Sequence, residues 1–338
     1  MIPCSSSSES WYNHPKLVLI FSHFMAAIVF PLHLLGAFCI LKRTPTSMSS
    51  VKWTILNLHF WNILVDCLMN IFVIPCPLFP TVSGYLLGLF NEFGVRATVQ
   101  AWILDIALSF VCISTTMIFE NRFYLLIARN TRWRVIRPFW MLGNVIFVLT
   151  YTIPTIIQLP DQELAKEVVL NTLPCVPDFL LSTEIITPTL DDYVFIYSAL
   201  TFTIVVFGQL IIFTIILIIS LSTNFGANSL SSNTRRLQKN LLKALLLQTG
   251  IPFFYLLLPV AFAVFAISTD YFNLAVNNIV VVITSLHGLV STSSMILIHH
   301  PYRKMIFGIC KKKKPEIAPV TSVPMFSRNT GIEMSSGN

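Results

Sequence analysis

The chain has 338 residues, 55% of them hydrophobic and only 11% charged, with a mean hydropathy of +0.75 and a formal net charge of +7. Soluble domains carry about 25% charged residues, so this composition cannot clothe a water-facing surface, and soluble enzymes and soluble binding modules are excluded. The excess of positive charge resembles that of a nucleic-acid binder, but the basic residues lie beside long apolar blocks. They belong to a membrane surface, and no nucleic-acid partner is expected.

Residues 1–14 are polar and lack a basic stretch followed by an apolar core, so no cleavable leader is predicted and the first apolar block serves as its own anchor. A membrane helix needs roughly 20 apolar residues, and seven blocks meet that length: 17–41, 53–75, 97–128, 139–159, 193–221, 241–267 and 272–298. The first ends at Lys42 and Arg43. After the second, the Pro- and Gly-rich run CPLFPTVSGYLLGLF marks a break, and a long acidic loop separates the fourth from the fifth. The pattern predicts an all-α membrane protein, a seven-helix bundle over 17–299, followed by a basic amphipathic interfacial segment at 300–314 and a disordered tail at 315–338.

Retention of Lys and Arg on the cytoplasmic side sets topology. With the amino terminus outside, only Lys16, Arg96 and Lys166 face outward, which leaves 22 − 3 = 19 basic residues at the cytosolic ends. The inverted arrangement would reverse that ratio. An extracellular amino terminus and a cytosolic carboxyl terminus are therefore expected.

Polar residues inside the spans recur at helical spacing: His59, Asn62, Asp66 and Asn70 in block two; Asp105, Ser109, Cys112, Thr116 and Glu120 in block three; Asn277, Thr284, His287, Ser291 and Ser294 in block seven. Polar groups in lipid are costly, so these stripes should face a shared interior. Asp66 reads equally as a protonatable switch and as a buried acid satisfied by neighbours. Asp105 lies at a depth suited to ligand binding, with a structural hydrogen bond the competing reading. With Ser109, Asn277 and His287 they form the candidate ligand pocket or polar core. Pro252, in QTGIP, removes a helix hydrogen bond and is a candidate hinge.

Arg122, beside Glu120 at the predicted cytosolic end of block three, fits an ion-paired closed state that offers donors to a partner helix when released; read alone, it is an arginine reaching for headgroups. Arg129, Arg132, Arg134 and Arg137 follow as a basic cluster suited to anionic lipid. Cys310 is juxtamembrane and a candidate for palmitoylation, and Lys311 to Lys314 add attraction to the bilayer surface. On the outer face Cys76 and Cys175 are expected to pair, with Cys4 as the rival partner. The cysteine and histidine spacings match no metal-site or redox motif, so no cofactor and no metal is expected.

The run PLHLLGAFCILKRTPTSMSSVKWTILNLHFWNILVD, the ENRF at Glu120 to Phe123, the LPC around Cys175, QTGIP, and HGLVSTSSMILIHHPYR resemble the nematode serpentine receptor class H chemoreceptors over all seven spans. The resemblance implies a rhodopsin-like receptor in the plasma membrane of chemosensory neurons, with their cilia the expected site, that detects a small external molecule and signals to a heterotrimeric G protein. Arg122 would then stand where rhodopsin-type receptors carry the arginine of D/E-R-Y. The chain departs from that wider pattern: Asn121 separates Glu120 from Arg122, and CWxP and NPxxY are absent. The competing reading is a transporter or ligand-gated channel, since polar stripes could line a conduction path. HExxH, GxSxG and P-loop motifs are all missing, so no enzyme is expected.

Overall fold

The computed structural model describes residues 14–45, 48–190, 192–223 and 232–310. In chain order the elements are α1 (Pro15–Arg43), α2 (Ser49–Cys67), a π turn (Leu68–Phe72), β1 (Pro75–Pro77), β2 (Gly84–Leu86), α3 (Leu89–Glu92), α4 (Ala97–Phe123), a second π turn (Tyr124–Ala128), α5 (Trp133–Thr150), α6 (Ile153–Ile157), α7 (Gln162–Thr172), α8 (Asp178–Ser182), β3 (Ile185–Ile186), α9 (Asp192–Thr223), α10 (Ser232–Ser268), α11 (Leu274–Ser285), α12 (His287–Ile298) and α13 (His300–Cys310). Seven of the helical segments are long and apolar enough to cross a membrane, α11 and α12 together making the last. The tail at 315–338 and the run Lys311 to Lys314 lie outside the described residues.

A lipid-solvated bundle turns apolar side chains outward, because hydrocarbon chains are as apolar as the side chains themselves. Phe24, Trp53, Phe139, Ile157, Ile204 and Phe254 are all exposed, Ile204 by 70%. The inside is where polarity collects. His59, Asn62, Asp66 and Asn70 of the second span are all buried, as are Ser109, Thr116 and Glu120 of the third and Asn277, His287 and Ser294 of the seventh. The expected stripes do face the interior.

The spans exceed the apolar blocks mostly where amphipathic flanks continue the helix. The fourth starts at Trp133 rather than 139, and the sixth at Ser232 rather than 241. The second ends sooner than expected, at Phe72 rather than 75: its π turn closes with the Val73 amide donating to Leu68 O at 2.8 Å, Ile74 takes φ 45°, and the chain turns into β1. A β-branched residue in the left-handed region is strained, and Pro75 follows at once.

The connector after the second span is more than a break. It forms a hairpin, with Cys76 opposite Tyr85, and β3 from the long loop adds to its edge, with Tyr85 opposite Ile185, all antiparallel. Periodicity could not reveal strands of two and three residues. Gly88 is required where the hairpin returns over the second span, because a Cβ there would strike the backbone of Phe72 and Val73. The acidic loop is itself folded: Asp161 caps α7 by accepting from the Glu163 and Leu164 amides. Lys166 Nζ donates to Leu181 O and Thr183 O at 2.9 and 2.8 Å, and Val169, Leu170 and Leu180 pack against Val18, Leu78 and Tyr85. This sheet and loop close one end of the bundle, here the sheet end. The opposite end carries Arg122, Arg129, Arg132, Arg134 and Arg137.

Candidate functional site

Beneath the sheet lies a cavity of about 590 Å³ between the second, third, sixth and seventh spans, within the range of about 300–1,000 Å³ typical of small-molecule sites. Tyr85 and Ile186 contribute to its roof, Leu104 and Val280 to its walls, and Pro259 and Val260 of α10 to its far side. Three ionisable side chains of the candidate set reach it: Asp66, Asp105 and His287. Asn277 does not line it; its amide donates to Phe79 O at 3.2 Å and so anchors the roof hairpin to the seventh span. Ser109 acts one step removed. Its hydroxyl lies 2.9 Å from the Tyr151 hydroxyl, which donates to Asp105 Oδ2 at 2.7 Å.

Asp66 stands at the centre of a buried cluster on three spans. His33 Nε2 of α1 donates to its Oδ2 at 2.6 Å, and His287 Nδ1 of α12 lies 3.9 Å from its Oδ1. Thr292 holds His33 Nδ1 at 2.9 Å, and His59 Nε2 donates to His33 O at 3.0 Å. Two small residues make the room. A Cβ on Gly36 would press on His59 and Thr292, and one on Gly288 would occupy the space of the Asp66 carboxyl. The seventh span breaks at Leu286, one residue before His287, and carbonyls beside the break accept bonds from other spans. Asn70 Nδ2 reaches Ser285 O at 3.4 Å, and the Tyr255 hydroxyl donates to Ile283 O. Backbone groups in a membrane interior must be satisfied within the protein.

Sequence reasoning missed His33, Tyr151 and Gln248. His33 had a signal, one of two imidazoles in an otherwise apolar block; Tyr151, inside block four, gave none.

At the other end, the expected pairing of Glu120 with Arg122 does not form. Glu120 instead accepts from Arg137 Nε on α5, at 3.0 Å to each oxygen, and from Trp133 Nε1 at 2.8 Å. Arg137 Nη2 also donates to Asn121 Oδ1 at 3.0 Å, and its guanidinium lies over Tyr124. Helical spacing explains the correction: residues two apart point to different sides of a helix. Arg122 is left buried, 4% exposed, with Nε and Nη2 making no hydrogen bond.

Beside Arg122, His299 Nε2 donates to Gln248 Oε1 of α10 at 2.7 Å. Burial, with the Arg122 charge adding to it, lowers the His299 pKa to about 4, so the ring is neutral near pH 7. The link to Gln248 is a neutral hydrogen bond. Tyr302 completes this end, buried with its hydroxyl 2.8 Å from Thr44 Oγ1.

The expected Cys76–Cys175 disulfide is absent. Cys76 is a free thiol, whereas Cys175 is disulfide-bonded to a cysteine other than Cys76. Cys76 points into the apolar cluster under the sheet, where burial pushes its thiol up to about 12. Cys4, the rival partner, lies outside the described residues. Among the described residues no group of three or more histidines, cysteines or acids is placed to hold a metal.

Residues 13–312 match the family model described as "Serpentine type 7TM GPCR chemoreceptor Srh". The chain belongs to this family. It is also 30% identical over 308 residues to Serpentine receptor class H-72 of Caenorhabditis elegans, an alignment covering 88% of this chain and 87% of the relative. The chain is thus a seven-span membrane protein of a chemoreceptor family. The resemblance read from ENRF, QTGIP and the HHPYR run is the family found.

Proposed function

We propose that this chemoreceptor binds a small external molecule in the sheet-end cavity and activates a heterotrimeric G protein at the Arg122 end. In this reading the sheet end faces outward and the arginine end the cytosol, an orientation that the asymmetry of basic residues supports. The receptor resides in the plasma membrane, with the cilia of chemosensory neurons its site of action, and acylation of Cys310 would fasten α13 to the inner leaflet.

The observation that carries the reading is Arg122. A buried guanidinium with unmet donors is unfavourable by several kcal/mol, and nothing in the described bundle relieves it. A partner helix presenting its carboxyl end would, because the last four carbonyls of a helix lack partners and carry the negative end of its dipole. Access to Arg122 is controlled by α10. Pro252 deprives Gln248 O of its helix bond and so makes a hinge just above the point where the Gln248 side chain holds His299. Breaking that tether frees the lower half of α10 to swing from Arg122.

Gln248→Ala therefore raises ligand-independent nucleotide exchange several-fold, measured with receptor in lipid nanodiscs and purified heterotrimer, since one neutral hydrogen bond contributes about 1 kcal/mol and each 1.4 kcal/mol is tenfold in an equilibrium. Unchanged or lower basal exchange at normal surface expression would remove the tether from the mechanism. An absence of exchange with every odorant extract tried, in a receptor that binds them, would remove G-protein coupling itself.

A further inference from the structure

The cavity's electrostatics are lopsided. Among the described residues no lysine or arginine lines it, and its walls are hydrocarbon apart from Asp66, Asp105, His287, the hydroxyls of Ser83, Tyr85 and Thr284 and the Cys76 thiol. The two acids differ in what they already hold. Asp66 is engaged by His33 and approached by His287. Asp105 has no salt-bridge partner among the described residues; its Oδ2 accepts from the Tyr151 hydroxyl, which is itself backed by Ser109. That chain of hydroxyls donates toward the carboxylate and leaves the other oxygen to the cavity. A carboxylate in an apolar site without a counter-charge is costly, and a cation brought by the ligand removes that cost.

We infer that the cavity takes a small, largely hydrocarbon molecule carrying one protonated amine, which pairs with Asp105 while the apolar body fills the space between Leu104, Val280 and Pro259. The same geometry disfavours carboxylates, which would meet Asp105 and Asp66 with no base to receive them. This inference rests on reading the cavity as the ligand site. It names the ligand's chemical class, which family membership does not.

The test uses purified full-length receptor in lipid nanodiscs and a ladder of primary alkylamines and phenylalkylamines, each matched with its alcohol and its carboxylate. Binding is read as thermal stabilisation at neutral pH, independently of any G protein. Amines of suitable length bind at least about tenfold more tightly than their alcohols, and carboxylates do not bind. Asp105→Asn, which keeps the acceptor for Tyr151 and the side-chain volume, weakens the amines about a hundredfold, the scale of a buried charge pair, and leaves alcohol binding unchanged. Equal binding of amines and alcohols, an amine preference that survives Asp105→Asn, or no binding by any amine overturns the inference. Amine binding that depends on Asp105 but drives no nucleotide exchange would leave this inference standing and overturn the G-protein reading instead.

Discussion

Arg122→Ala abolishes ligand-driven nucleotide exchange and leaves the receptor folded, inserted and able to bind ligand. The guanidinium is 4% exposed, and its Nε and Nη2 bond to nothing, so its removal takes no hydrogen bond of those atoms from the resting state. Thermal stability stays level or rises by about 1 kcal/mol, because an unpaired buried charge is unfavourable. Coupling falls by a factor of about 30 or more, the loss expected when a charged donor set is deleted from a buried interface. Glu120→Gln behaves in the opposite sense: it loosens the bonds to Arg137 and Trp133 and lowers stability before it touches coupling. Parallel loss of surface expression and exchange in Arg122→Ala would make the arginine a structural residue.

Gly288→Ala is expected to be the most damaging single methyl in the bundle. The added carbon would lie in the space of the Asp66 carboxyl, which is fixed from the other side by His33 at 2.6 Å. Asp66 must leave its place or the seventh span must move outward. Overpacking a core costs about 1–3 kcal/mol, and separating a buried acid from its partner about 3–5; together these are a large part of a domain's stability of about 5–15 kcal/mol. Surface expression falls to near background. The comparison is Gly143→Ala on α5, where no atom lies near the added carbon, and expression there is unchanged. Normal expression of Gly288→Ala would show that the contact of the second and seventh spans is looser than described.

The chain's sequence revealed whatever obeys a period. Runs of about 20 apolar residues are set by bilayer thickness, and polar stripes at three- and four-residue spacing by the helix, so the seven spans and their inward faces were legible. What depends on pairing between distant segments was not. Glu120 chose Arg137 rather than Arg122 because the helix turns them to different sides. Cys76 and Cys175 sit on the same end of the bundle, yet the pleat of β1 directs Cys76 into the core. The β-sheet over the cavity is made of strands too short to show an alternation. Asp66 was visible as an anomaly, whereas its partner His33 lies 33 residues away on another helix, a distance that only packing closes.

The placement of the two ends relative to the membrane is the claim on which ligand site and coupling site both depend, and epitope accessibility on intact cells measures it directly. A tag ahead of residue 1 should be labelled by antibody without permeabilisation, and a tag after residue 338 only once the membrane is opened. Labelling of the carboxyl-terminal tag on intact cells would put Arg122 outside and the cavity under Asp105 inside, and would contradict the account.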